Sequence, residues 1–337
     1  MGGGDIQELL GGMSPEDLQG MMQGLQGMGG GDMGGMSLPD MFGSGMMGGG
    51  GLDGVGDGDF EGLEEFMGSA GGGGGGRFRG MRNRAVGGGE DDAAGRYGDF
   101  IIVSGGHVGR GEDGRRSNST EIYNRTLGAW TYGPQMNIRR RWHMGAVVGS
   151  SFYVCGGTDE MRISSMTCER FDFDQWKWID VLERMPEGKS KAAAVAYHQR
   201  FLFIIGGEDP YIPTDTSFRY DTVSQSWAAL PPMGHHRVSP AAAVYHSRII
   251  VCGGIGTNTC ESYSIPENVW RPFCSMRAER ADFGMALWRE ALYAIGGYSK
   301  GTRQMHTIER FDFQETAWLD AEVQLPYGKD DYSLVVF

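Results

Sequence analysis

Arg140, Arg237 and Arg280 each stand 16 residues ahead of the first glycine of a Gly-Gly pair, and Lys329 sits in a similar setting near the C-terminus. A further unit breaks the pattern, with Ser190 at that distance between Lys189 and Lys191. The segments that follow the glycine pairs add Arg110, Arg115, Arg116, Arg162, Tyr211 and Arg303. A guanidinium is a planar fork that makes paired hydrogen bonds to carboxylates or phosphates. Such residues converging on one face would suit an acidic segment of a partner protein. Repetition also carries another meaning: an arginine needed in unit after unit can pack its stem and pair with a local acid, which is an architectural duty. The loop residues differ between units, as binding loops on a rigid scaffold do. The first loop, His107 to Thr120, is the longest and most basic of them.

Other reactive side chains form no recognisable machinery. The seven histidines (His107, His143, His198, His235, His236, His246, His306) show no metal-ligand spacing. The one close pair, His235-His236, would point to opposite faces of a strand. No nucleophile elbow, phosphate loop or Cys/His motif is present, so no catalytic residue, metal or cofactor is expected. The five cysteines (Cys155, Cys168, Cys252, Cys260, Cys274) are odd in number and lack a Cys-x-x-Cys pair, which is expected of reduced, buried thiols.

The elements that must carry these residues are repeated. An apolar run ends in Gly-Gly five times, at Gly105-Gly106, Gly156-Gly157, Gly206-Gly207, Gly253-Gly254 and Gly296-Gly297. Each pair is followed by an aromatic residue and then a tryptophan seven positions on: Tyr123 and Trp130, Phe171 and Trp178, Tyr220 and Trp227, Tyr263 and Trp270, Phe311 and Trp318. Each unit reads as four short strands; in the second these are 144–148, 152–155, 167–173 and 177–181. The glycines suit a sharp turn close to a neighbouring chain, and the aromatics suit the space between one sheet and the next.

This pattern resembles the kelch repeat, over about residues 98–337. The resemblance implies an all-β, kelch-type β-propeller whose face, made by the loops after Gly-Gly and the turns into the inner strands, binds a partner protein. Five units give five blades, although propellers resembling this one commonly have six. The first unit lacks the strand that precedes Gly-Gly in the others, so the C-terminal strand, 331–337, is expected to complete the first blade and close the ring. The expected function is a non-catalytic protein-interaction scaffold. Two alternatives remain open: the substrate-recognition component of a cullin-type ubiquitin ligase, as in kelch-like proteins that also carry BTB and BACK domains, and a carbohydrate-active propeller enzyme of the oxidase or epimerase kind.

Charge divides the chain. Of 337 residues with a net charge of −13, the first 95 hold 15 acidic and 4 basic side chains, 12 of the 21 methionines and none of the 8 tryptophans. A glycine-rich stretch of this kind buries too little apolar surface to offset the roughly 1–2 kcal/mol per residue that ordering a backbone costs. Residues 1–95 are therefore expected to be a disordered acidic tail, with short helical islands near 14–28 and 59–67 that could dock on a partner. Glycine-rich sequence of this length does not suit a BTB or BACK domain. The cluster Arg77-Phe-Arg-Gly-Met-Arg-Asn-Arg84 is too small to argue for nucleic acid. No 18-residue apolar run or secretory leader is present, so a cytoplasmic or nuclear protein is expected.

Overall fold

The computed structural model describes residues 92–108, 115–158, 163–328 and 334. These residues form five four-stranded antiparallel sheets, each running in chain order from the innermost strand outwards. Blade one comprises Asp92–Tyr97, Phe100–Gly105, Thr120–Asn124 and Ala129–Tyr132. Blade two comprises Arg141–Val148, Ser151–Thr158, Cys168–Asp172 and Lys177–Val181. Blade three comprises Ala193–Tyr197, Phe201–Ile205, Ser217–Asp221 and Ser226–Ala229. Blade four comprises Ala241–Tyr245, Arg248–Cys252, Cys260–Ser264 and Val269–Phe273. Blade five comprises Gly284–Trp288, Ala291–Ile295, Ile308–Asp312 and Ala317–Asp320.

The second strand of each blade is its apolar spine. Leu202 to Ile205 and Ile249 to Cys252 are buried on both faces because each sheet is sandwiched between two neighbours. Cores form between blades accordingly. Ile102 and Ile122 of blade one meet Phe152, Phe171 and Trp178 of blade two, and blades two and three, three and four, and four and five repeat the arrangement. A fully buried phenylalanine such as Phe152 contributes about 1.5–3 kcal/mol in each such layer.

Each repeat aromatic lies directly opposite its tryptophan on the adjoining strand, as Phe171 does Trp178 and Tyr220 does Trp227. Their ring centroids are 5.0–5.6 Å apart across the five blades. In four blades the indole N–H then donates to a main-chain carbonyl of the preceding blade's outgoing connection. Trp178 reaches Pro134 O at 2.9 Å, Trp227 Glu183 O at 3.3 Å, Trp270 Pro231 O at 3.0 Å and Trp318 Cys274 O at 2.9 Å. No such bond is found for Trp130 among the described residues, and Trp130 is 37% exposed where Trp178 is 8% exposed.

The glycine pairs stitch the blades at one end of these strands. The second glycine's N–H donates to the carbonyl of the basic residue entering the next blade: Gly106 to Arg140, Gly157 to Lys189, Gly207 to Arg237 and Gly254 to Arg280, at 2.7–3.0 Å. Gly207 has φ 88°, and a Cβ there would lie 2.5 Å from Ser190 O, so neither the conformation nor the space admits a side chain.

Three expectations are corrected. Blade one has its own inner strand, Asp92–Tyr97, paired antiparallel with Phe100–Gly105, so the propeller includes residues ahead of 98 and the C-terminal strand is not needed there. Two cysteine pairs are disulfides, Cys155–Cys168 and Cys252–Cys260, because each pair faces across the second and third strands of one blade with Cα atoms 4.2 and 4.1 Å apart. Cys274 is free and exposed. The third unit departs from the 16-residue spacing because three residues, His198 to Arg200, link its first two strands where the other blades use two. Lys189 thereby occupies the arginine position. The tail through residue 91, with the islands 14–28 and 59–67, and all of 331–337 except Leu334 lie outside the described residues.

Candidate partner-binding face

One end of the strands carries both the loops after Gly-Gly and the connections into the next inner strand. The recurring arginines start there but turn inward: Arg140, Arg237 and Arg280 are each 1% exposed. Arg140 Nε donates to Glu169 Oε1 at 3.1 Å, its Nη1 to Gly156 O and Thr167 O at 2.8 and 2.9 Å, and its Nη2 to Thr167 Oγ1 at 2.7 Å. Arg237 repeats this with Glu261, Gly253 O and Thr259 O, and Arg280 with Glu309, Gly296 O and Thr307 O. The carboxylates are held in turn: Glu169 accepts the N–H of Asn137 and of Ile138. Burial pulls the Arg140 and Arg237 guanidinium pKa values down and the paired glutamates push them back up. Lys189 does the same work in blade three, its ammonium 2.6 Å from both Thr214 Oγ1 and Thr216 Oγ1. These cations bind their own blade, a correction to their expected place on a partner face.

Around the cavity lies a set of residues two positions later, three of them half-buried and Ser239 buried. Trp142, Lys191, Ser239 and Asp282 hold equivalent places in blades two to five, and all four adopt left-handed backbone, with φ of 48–56°. Their main chains are linked in sequence: Lys191 N–H to Trp142 O at 3.0 Å, Ser239 N–H to Lys191 O at 2.8 Å and Asp282 N–H to Ser239 O at 3.2 Å. That linkage holds strained residues at the mouth of a cavity of about 230 Å³, which they line together with His143, Asp92 and the inner-strand alanines. The Arg141 guanidinium lies 3.5 Å from the Trp142 ring centroid, and the Lys191 ammonium lies 4.2 Å from that centroid and 3.0 Å from Glu208 Oε1. His143 is buried; that burial, and next the Arg140 charge, push its pKa down to about 3, so it is neutral at neutral pH.

The loops supply apolar groups. Tyr211 and Ile212, 62% and 67% exposed, stand at the tip of a two-stranded ribbon, Glu208–Asp209 paired with Ile212–Pro213, in blade three. Ile163 of blade two and Ile255 of blade four are exposed in the corresponding loops. Arg303 is exposed in the loop of blade five. Arg116, in a ribbon pairing His107–Val108 with Arg115–Arg116, is half-buried with its guanidinium 3.5 Å from Thr158 Oγ1 of blade two. Arg110, Arg162 and Lys329 lie outside the described residues. Tyr211 and Arg303 thus stand exposed on the loops where the sequence put them, while Ile163, Ile212, Ile255 and the Trp142 to Asp282 set had no sequence signal. The left-handed residues have no shared side-chain type, and the isoleucines have no common distance from their glycine pairs.

Two family models match this chain: the KLHDC2/KLHL20/DRC7 Kelch-repeats domain over residues 90–254 and the Kelch motif over 279–321. The chain belongs to the kelch-repeat family. Among kelch relatives, Kelch-like protein 23 of Homo sapiens is 27% identical over 226 residues, 66% of this chain and 39% of that protein. Kelch-like protein 40 of Xenopus laevis is 26% identical over 186 residues, 50% of this chain and 30% of that protein. Alpha-scruin of Limulus polyphemus is 25% identical over 225 residues, 61% of this chain and 24% of that protein. The match thus spans less than half the length of each relative. A solved structure titled "Structure of YjhT" superposes with a TM-score of 0.62 at 11% identity, covering 73% of this chain and 87% of that one, which shows a shared fold.

Proposed function

We propose that this kelch propeller is a non-catalytic protein-interaction module that holds a segment of a partner across the channel mouth. The supporting observation is the placement of exposed apolar side chains, Ile163, Tyr211, Ile212 and Ile255, on the loops of three consecutive blades around a polar, backbone-linked rim. Aromatic and aliphatic anchors on a rigid frame, with polar groups fixing orientation, are what a peptide-sized partner needs. Arg116, Lys191 and Arg303 favour acidic residues flanking the apolar anchors of that segment. The test is affinity purification from cells with the wild-type chain and with Tyr211→Ala/Ile212→Ala: partners that co-purify equally with both would sink the reading. The likeness to Kelch-like proteins 23 and 40 supports a second reading, substrate recognition for a cullin-type ubiquitin ligase, for which co-purifying cullin is the measure.

A further inference from the structure

The buried disulfides Cys155–Cys168 and Cys252–Cys260 join the second and third strands of blades two and four. The first cysteine of each pair directly precedes its Gly-Gly, so the bridge crosses the foot of the loop that follows. The other three blades hold the same place without a covalent link. Ser104 faces Thr120 in blade one, Ile205 faces Ser217 in blade three and Ile295 faces Ile308 in blade five. A main-chain bond closes the foot in bridged and unbridged blades alike: Gly156 N–H donates to Thr167 O at 3.1 Å, Gly253 N–H to Thr259 O at 3.0 Å, Gly206 N–H to Thr216 O at 3.1 Å and Gly296 N–H to Thr307 O at 3.1 Å. The blade architecture therefore does not require the bridges.

The bridged blades are the two whose loops carry the exposed Ile163 and Ile255, with blade three and its Tyr211 and Ile212 between them. The loops with Arg116 and Arg303, in blades one and five, are unbridged. Each bridge also adjoins the acceptors of a buried arginine. Arg140 Nη1 donates to Gly156 O and Thr167 O, and Arg237 Nη1 to Gly253 O and Thr259 O, every acceptor belonging to the residue next to a bridged cysteine. A guanidinium spanning two strands holds them only while both acceptors keep their separation, which the covalent link fixes.

We propose that the two disulfides are reversible clasps, closed by oxidation and opened by a dithiol reductant, that set how firmly the loop feet of blades two and four are held. Opening is thiol–disulfide exchange. A thiolate of the reductant bonds to one cysteine sulfur as the S–S bond breaks, and the other cysteine leaves as a thiolate and takes up a proton. The second reductant thiol then displaces the first cysteine, so the protein gains two electrons and two protons and the reductant departs as its own disulfide. An unbridged loop gains more conformations when its foot opens, so opening becomes more frequent. A partner must then order that loop at greater cost. This consequence for binding rests on the partner-face reading proposed above; the clasp itself does not.

The test compares the full chain equilibrated with a disulfide oxidant and with dithiothreitol. In the oxidised chain the four paired cysteines should resist alkylation even after unfolding, while the exposed Cys274 reacts. In the reduced chain all five should react on unfolding, with the cooperative thermal transition retained. Alkylation of the four in the oxidised chain, or loss of that transition on reduction, would overturn the proposal. Reduction should also speed amide exchange at Gly156, Ser165, Gly253 and Ile255 by at least about tenfold and leave Gly296 and Met305 of the unbridged blade five unchanged. Unchanged rates in the bridged blades, or equal acceleration in blade five, would overturn it too. The double variant Cys252→Ser/Cys260→Ser places hydroxyls where Ser104 and Ser217 already stand in other blades. It should keep Gly253 and Ile255 fast under both conditions while blade two retains its redox response; a response persisting in blade four would refute the clasp. No partner enters these measurements, so their failure is distinct from failure of the partner-face reading.

Discussion

Arg140 Nε and Glu169 Oε1 meet at 3.1 Å with both side chains closed to solvent, and the same guanidinium also serves two carbonyls. Removing one member of such a pair leaves a buried, uncompensated charge, at a cost of about 3–5 kcal/mol. Glu169→Gln and Arg140→Ala should therefore lower the urea midpoint sharply. Arg140→Lys should lose less, since Lys189 shows that an ammonium fits this place in blade three. Charge reversal at Arg140 would unfold the blade, so loss of partner binding in that variant carries no information about the face.

The tryptophan latches predict a contrast within one residue type. Trp178→Phe deletes the bond to Pro134 O and should cost about 0.5–1.5 kcal/mol beyond the lost area. Trp130→Phe removes no such bond and should be nearly neutral. Equal shifts in chemical denaturation for the two variants would contradict the latch.

On the proposed partner face, Tyr211→Ala should weaken binding by about 1 kcal/mol or more, roughly fivefold or greater, with folding stability changed by only about 0.5 kcal/mol. Arg303→Glu should act chiefly on the association rate and its salt dependence. Isothermal titration and stopped-flow mixing with a captured partner check the two effects.

His143 gives the stability a pH dependence of known sign. Its folded pKa of about 3 lies below the ordinary 6.5, so the folded state prefers the neutral ring. Its contribution is fully present above pH 6.5 and is lost as the pH falls toward 3, at up to about 1.4 kcal/mol per pH unit while only the unfolded chain takes the proton. In His143→Phe this dependence should flatten across the same window, as measured by thermal denaturation at a series of pH values.

The repeat was legible because each Gly-Gly and each aromatic–tryptophan pair answers one local demand met in every blade, so position and spacing recur together. The strand Asp92–Tyr97 was not legible: Asp-Ala-Ala-Gly-Arg-Tyr carries no basic residue at the expected distance and adjoins glycine-rich sequence. Lys189 was hidden by one additional turn residue. The arginines were visible as a pattern but ambiguous in role, because the same spacing serves a surface ring and a buried staple, and only burial with Glu169, Glu261 and Glu309 separates them. The exposed isoleucines leave no periodic trace at all.

The latches also have a direction. Trp178, Trp227, Trp270 and Trp318 each reach back to a carbonyl about 40 residues earlier in the chain and never forward. A polypeptide leaving the ribosome from its N-terminus can thus fasten every blade as it emerges, using only acceptors already synthesised. Assembly of the ring is in this respect vectorial for blades two to five, while Trp130 of blade one makes no such bond among the described residues.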